Sequence, residues 1–318
     1  MRYADGATLL LLGCIWGSAF MMNDVVVDEV PPLTVMAGRL FIAAIVVTAA
    51  LFLTGRRLPA RSWWPVLLVL VVLNNVIPVS LITWVQQYIT SSLAATLNST
   101  MPLMTFLFAV AAGNERFDVD RAFGVVIGFV GAAVLIGPDL GDITSSNALG
   151  DLAVLGGSAG YAVSTVIARV KLQGDAMPLV SGQMIFGALI AVPIATAADG
   201  PVGLSLSTEA ALAWLGLGAV SSGVAYVIFY ALVQRMTATS VSLVSYIIPV
   251  VATILGWAVL GEEIGWNLAV GLALIILGMV AVNRTVRPSW LRRAEPRAAE
   301  PEVLEVGGPP IEVRRRDG

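Results

Sequence analysis

The chain has 318 residues, 58% of them hydrophobic and 12% charged, with a mean hydropathy of +0.88 and a formal net charge of −3. A soluble domain carries about 25% charged residues, so this composition excludes a water-soluble protein and points to a polytopic membrane protein. No basic cluster suits nucleic acid, the single cysteine (Cys14) excludes an internal disulfide, and the lack of histidine removes the commonest metal ligand and proton shuttle. No metal and no cofactor is expected.

A membrane-crossing helix needs about 20 mainly apolar residues. In chain order the candidate spans are 6–26, 33–54, 64–84, 91–112, 121–138, 151–170, 178–198, 211–233, 239–260 and 266–284. The first lacks a small-residue cleavage site and similar spans follow it, so it reads as a retained helix and not as a signal peptide. The connections are short. After Arg284 the sequence turns rich in Pro, Glu and Arg and poor in aromatics, which predicts a disordered cytoplasmic tail over 285–318.

Basic residues give the direction. With the N-terminus in the cytoplasm, Arg2, Arg56, Arg57, Arg61, Arg116, Arg121, Arg169, Lys171, Arg235 and the arginines from Arg284 onward all fall inside. The outer loops then hold Asp24, Asp28, Glu29, Asp139, Asp142, Asp199, Glu209, Glu262 and Glu263, with no Lys or Arg. The exception, Arg39, lies within the second span. Both termini are therefore expected in the cytoplasm, the membrane being a bacterial cytoplasmic one.

Residues 85–137 and 232–284 align without a gap at an offset of 147. They share Gln87/Gln234, Thr90/Thr237, Pro102/Pro249, Ala111/Ala258, Glu115/Glu262, Ala122/Ala269, Gly124/Gly271 and Gly131/Gly278. The matched residues carry more weight than their number: a mid-span proline, a loop glutamate and two glycines seven apart. Five spans per half is an odd number, so the halves enter the membrane from opposite sides, and duplication of this kind is a transporter signature. Weaker alignments set Trp16 near Tyr161 and Arg39 near Gln183. The expected fold is an all-α membrane protein of ten transmembrane helices in two inverted five-helix repeats, 5–138 and 150–284.

Polar residues inside a span face the bundle interior, a cavity or one another. The richest patch is Asn74, Asn75, Pro78, Ser80, Thr83, Trp84, Gln86, Gln87, Asn98, Ser99, Thr100 and Pro102. Pro78 and Pro102 each remove a backbone donor, and Pro249 repeats the feature in the second half. Broken helices at corresponding positions point to a transporter binding site; interhelical glue and simple kinks are the alternative. Trp16, Trp84, Tyr161 and Tyr226 lie deep or beside polar neighbours and are cavity candidates, with Asn74, Asn98 and Tyr246. Trp63, Trp64, Trp214, Trp257 and Trp266 sit at span ends and are assigned to the interfacial belt.

Arg39 lies six residues into its span, about 9 Å below the outer edge at 1.5 Å per residue. It would serve as a carboxylate-binding or gating charge, or as half of a structural ion pair with Asp24, Asp28, Glu29, Glu262 or Glu263. Glu115 and Glu262 occupy equivalent turns on opposite sides, either as gates that close each end in turn or as solvated loop charges. Gly124, Gly128 and Gly131, with Gly271 and Gly278, form small-residue faces for packing within the chain or for a homodimer seam.

The ordered blocks WGSAF, RLFIAA, LNNVIPVSLITWVQQYITSSLAATLNSTMPL and NERFDVDRAFGVVIGFVGAAVLIG resemble the EamA-type transporters of the drug/metabolite transporter superfamily, over about residues 5–284. The resemblance implies a ten-helix bundle with a central cavity between the halves. It also implies secondary transport of small metabolites, amino acids or drug-like organic compounds, often outward. A facilitator or exchanger of a polar metabolite fits the same residues. A membrane-embedded transferase would need paired acidic metal ligands or a histidine-based acid–base set, which the sequence lacks.

Overall fold

The computed structural model describes residues 3–136, 146–200 and 206–282; the expected tail lies outside them. Every regular element among the described residues is helical. In chain order the α-helices are α1 (Tyr3–Val27), α2 (Pro32–Leu53), α3 (Trp64–Val71), α4 (Ile77–Val85), α5 (Ser91–Asn98), α6 (Met101–Ala111) and α7 (Val119–Ile136). They continue with α8 (Ser146–Lys171), α9 (Ala176–Asp199), α10 (Thr208–Gly216), α11 (Ala225–Val233), α12 (Ala238–Val241), α13 (Ile247–Leu255) and α14 (Trp266–Val282).

Several of these are parts of one longer rod. A π-helical segment, Val72–Val76, joins α3 to α4, and a second, Leu217–Val224, joins α10 to α11. By length and composition, seven stretches among the described residues can cross a membrane: Asp5–Val27, Pro32–Leu53, Arg61–Val85, Ser91–Ala111, Leu149–Lys171, Ala176–Asp199 and Thr208–Val233. Val244–Leu260 and Trp266–Ala281 are shorter apolar helices, and α7 has 18 residues. The spans expected at 121–138, 239–260 and 266–284 thus correspond to the shortest apolar segments.

Local chemistry sets the helix ends. Pro32 opens α2, where a missing N–H costs nothing. Thr90, Asp175 and Ser207 cap α5, α9 and α10 with side-chain oxygens. Gly261 turns the chain after Leu260 at φ 72°, a left-handed conformation that suits glycine.

Carboxylates at a helix end and in a turn supply further caps from distant parts of the chain. Asp199 Oδ2 accepts from the Thr34 backbone N–H (2.8 Å) and hydroxyl (2.7 Å). Glu29 accepts from the Ser207 N–H (2.8 Å) and hydroxyl (2.5 Å). Those two donors hold the exposed Glu29 carboxyl below its ordinary 4.5. The link is therefore complete at neutral pH and is lost as pH falls through that lowered value.

Two large apolar clusters bury the helix faces. One joins α1, α2, α3, α9 and α11; the other joins α4 to α7 with α13 and α14. α2 packs along α9, and α7 along α14. In the second pair the glycines face each other. A Cβ on Gly278 would lie 2.5 Å from Gly124 O and Gly128 N, and one on Gly131 would lie 2.8 Å from Gly271 O. The small-residue stripes are thus used within the chain. Trp214 departs from its expected belt position. It is buried, its Nε1–H donates to Val35 O at 3.0 Å, and its ring fills the space over Gly38. Trp257 and Trp266 are exposed, as belt residues should be.

Candidate functional site

Between the two clusters lies a cavity with about 700 Å³ of empty space, including its open mouth. Side chains from α1, α2, the α3–α4 rod, α5, α6, α8, α11, α13 and the turn before α13 line it. The π-helical segments shape it. A π turn frees backbone carbonyls that an α-helix would engage, and inside a membrane these need partners. Asn74 O receives the Tyr226 hydroxyl at 2.9 Å, and Ser221 O receives Trp16 Nε1–H at 3.0 Å. The aromatic donors that satisfy the breaks also form the wall: Trp16 meets Tyr226 edge-on at 5.7 Å and Phe229 at 5.3 Å.

Of the sequence candidates, Trp16, Arg39, Asn74, Asn98, Tyr161 and Tyr226 come together around this cavity. Trp84 does not. It follows Thr83, which faces in, and one residue along a helix turns the side chain about 100°. Trp84 is 37% exposed and packs edge-on to Tyr88. Tyr246 packs against the second apolar cluster, while its neighbour Ser245 reaches the cavity. Pro78 lies over Gly157 and Gly160 of α8, and Pro102 and Pro249 are buried in the first turns of α6 and α13. The prolines shape the rods without touching the space.

Arg39 overturns its expected pairing. None of Asp24, Asp28, Glu29, Glu262 or Glu263 forms an ion pair with it; the ion pairs among the described residues are Arg56–Asp175 (3.0 Å) and Arg121–Glu115 (3.1 Å). Arg39 Nε–H donates instead to Ser222 Oγ at 2.9 Å. The five carboxylates sit beyond the ends of the helices or near them, and the arginine side chain turns toward the π segment Leu217–Val224. Glu115 binds Arg121. Glu262 is no solvated loop charge: it accepts from the N–H and hydroxyl groups of Ser91 and Ser92.

Asn23, absent from the sequence candidates, belongs to the lining. Its Nδ2 donates to Gln86 Oε1 at 2.8 Å, its Oδ1 accepts from Thr83 at 3.1 Å, and Gln86 Nε2 donates to Phe20 O at 2.9 Å. A sequence signal for it exists: Trp16, Phe20 and Asn23 repeat at i, i+4 and i+7 on one face.

A second buried network backs the cavity. Gln183 Nε2 donates to Asn75 Oδ1 at 2.5 Å, and the Tyr230 hydroxyl donates to Gln183 Oε1. All three residues are fully buried or nearly so. Tyr230→Phe leaves the Gln183 oxygen orphaned and should cost about 1–3 kcal/mol. Thermal melting in detergent will read this as a drop of several degrees; an unchanged melt would mean that water replaces the hydroxyl.

Apolar helices around a polar, aromatic-walled cavity are the architecture of a membrane transport protein. The chain belongs to the EamA-like transporter family, whose model matches residues 5–137 and again 148–284. It is 29% identical over 294 residues to "Uncharacterized inner membrane transporter YedA" of Escherichia coli (strain K12), covering 88% of this chain and 92% of the relative. It is 23% identical over 267 residues to "Uncharacterized transporter YoaV" of Bacillus subtilis (strain 168), covering 83% and 91%. A crystal structure with 20% sequence identity superposes at a TM-score of 0.69, over 90% of this chain and 99% of that one, and shares the fold. The protein is thus a multi-pass membrane transporter and not an enzyme.

Proposed function

We propose that this transporter is a secondary carrier of ten spans in two inverted five-helix repeats, 5–138 and 150–284, working by alternating access around the central cavity. Its cargo is a small metabolite, an amino acid or relative, or a drug-like organic molecule, moved outward. Both termini lie in the cytoplasm of a bacterial cell; the basic inner loops and the inner-membrane name of one relative support that placement.

The observation that carries the reading is a cavity whose lining comes from both halves of the chain. The repeat is supported by contacts that exchange between halves. Gly38 abuts Trp214, while Gly182 abuts Leu67; at the offset of 147, Trp214 and Leu67 are equivalent. Arg39 bonds Ser222, while Gln183 bonds Asn75, and Ser222 and Asn75 are again equivalent at that offset. The π segments Val72–Val76 and Leu217–Val224 occupy matching places, while a third, Gly256–Leu260, has no π counterpart among the described residues of the first half.

Counterflow in proteoliposomes preloaded with amino acids, then offered traces of labelled ones, tests the carrier. Saturable accumulation is expected. Asn98→Phe, which fills the cavity, should abolish it, and Trp257→Phe on the lipid face should not. Flux that never saturates would make the protein a channel. Saturable exchange with no response to an ion gradient would make it a facilitator or exchanger.

A further inference from the structure

We propose that the central cavity is a carboxylate site: its ligand carries an acidic group that docks on the Arg39 guanidinium. The inference rests on the carrier reading for the ligand's being cargo, and it adds the charge class of that cargo.

Among the described residues, Arg39 is the only charged side chain lining the cavity. Among those residues it forms no ion pair, and its one side-chain hydrogen bond is Nε–H to Ser222 Oγ at 2.9 Å. That bond holds the head of the side chain, and neither terminal nitrogen has a hydrogen-bond partner among the described residues. A guanidinium presents its donors in a planar fork that matches a carboxylate. Ser222 is neutral and cannot balance the charge. A cation held at membrane depth without a counter-ion is costly, and a bound anion supplies what the protein omits.

The neighbouring polar groups point the same way. Asn98 also lines the cavity, and its Oδ1 lies 3.1 Å from Ser158 Oγ, so its amide N–H groups are the donors left for a ligand. Asn23, Thr83 and Gln86 satisfy one another and offer no free charge. A cationic ligand would find aromatic faces, but cation–π attraction is weaker than charge–charge repulsion from Arg39 at similar range. Trp16, Tyr226 and Phe229 supply an apolar wall, so the anion should carry an apolar body.

The test is calorimetric titration of the full chain in nanodiscs with isosteric triads. One triad is 3-phenylpropanoate, its amide and 3-phenylpropylamine; a second is indole-3-acetate, its amide and tryptamine; a third is 4-methylpentanoate with its amide and amine. In at least one triad the carboxylate should bind about tenfold or more tighter than the amide, with the amine weakest. Arg39→Gln should bring carboxylate and amide to parity while amide binding persists, which also shows that the variant is folded. Arg39→Lys keeps the charge but loses the fork, so the preference should shrink without reversing. The proposal is overturned if no carboxylate outbinds its amide, if an amine binds best, or if the preference survives Arg39→Gln. Should Arg39→Gln not fold, an undiminished preference in Arg39→Lys overturns it. Counterflow of neutral cargo alone would sink the carboxylate site and leave the carrier; charge-selective binding without counterflow would do the reverse.

Discussion

Gly278→Ala is expected to destroy the α7–α14 seam. The added methyl would sit 2.5 Å from the Gly124 carbonyl oxygen and Gly128 nitrogen and 2.7 Å from Gly128 Cα. These are backbone atoms of the facing helix, so no side chain can rotate away. The helices must separate, and separation opens the contacts of Leu135, Ile275 and Met279, all fully buried. Overpacking of a tight core costs about 1–3 kcal/mol and sometimes more; with backbone on both sides, about 3 kcal/mol or more is expected. For a chain of this size that is a fall in melting temperature of roughly 5–10 °C, or loss of the monodisperse peak in size-exclusion chromatography. Gly6→Ala is the control. Nothing lies within 4 Å of the place its methyl would take, so it should melt at or slightly above wild type, because alanine is the better helix former. If Gly278→Ala melts with Gly6→Ala, the close approach of the two helices is not a source of stability.

The second large effect is expected from Glu262→Ala. Its carboxylate accepts from Ser91 N (2.8 Å), Ser91 Oγ (2.6 Å) and Ser92 N (3.1 Å), and also from the Ser92 hydroxyl. Ser91 and Ser92 are buried and begin α5. A negative charge at a helix N-terminus is favourable, and here it also satisfies backbone donors that α5 cannot use itself. Gly256 makes room: a Cβ there would crowd the Glu262 carboxylate and the Ser92 hydroxyl, and Gly256 O accepts the Glu262 N–H at 3.0 Å. Losing the cap and its charge-assisted bonds should cost about 2–4 kcal/mol. Glu262→Gln should fall between, because its amide presents two donors to a cluster that is already all donors. Thermal unfolding of the three proteins checks the order. Glutamine equal to glutamate would remove charge from the explanation.

The amino-acid order by itself determined that the chain is a membrane protein, where its apolar stretches lie, and that features of its first half recur in its second. Hydrophobic length and turn chemistry are local properties, so they can be read residue by residue. The same holds for the polar and aromatic residues along a helix face: the depth and neighbours of Asn74, Asn98, Trp16, Tyr161 and Tyr226 mark them as cavity residues. Which way a side chain points at the end of a distorted rod is not local. Trp84 ends on the outside, while Thr83 and Gln86 on either side of it line the cavity. Only the tertiary structure decided the partners. Arg39 has five carboxylates within plausible reach in sequence, yet it bonds a neutral serine 183 residues away. Glu262 looks like a loop charge until the fold brings α5 to it from 170 residues upstream. Pairing across the bundle depends on how the helices of the two halves pack, and no short-range pattern in the chain encodes that distance.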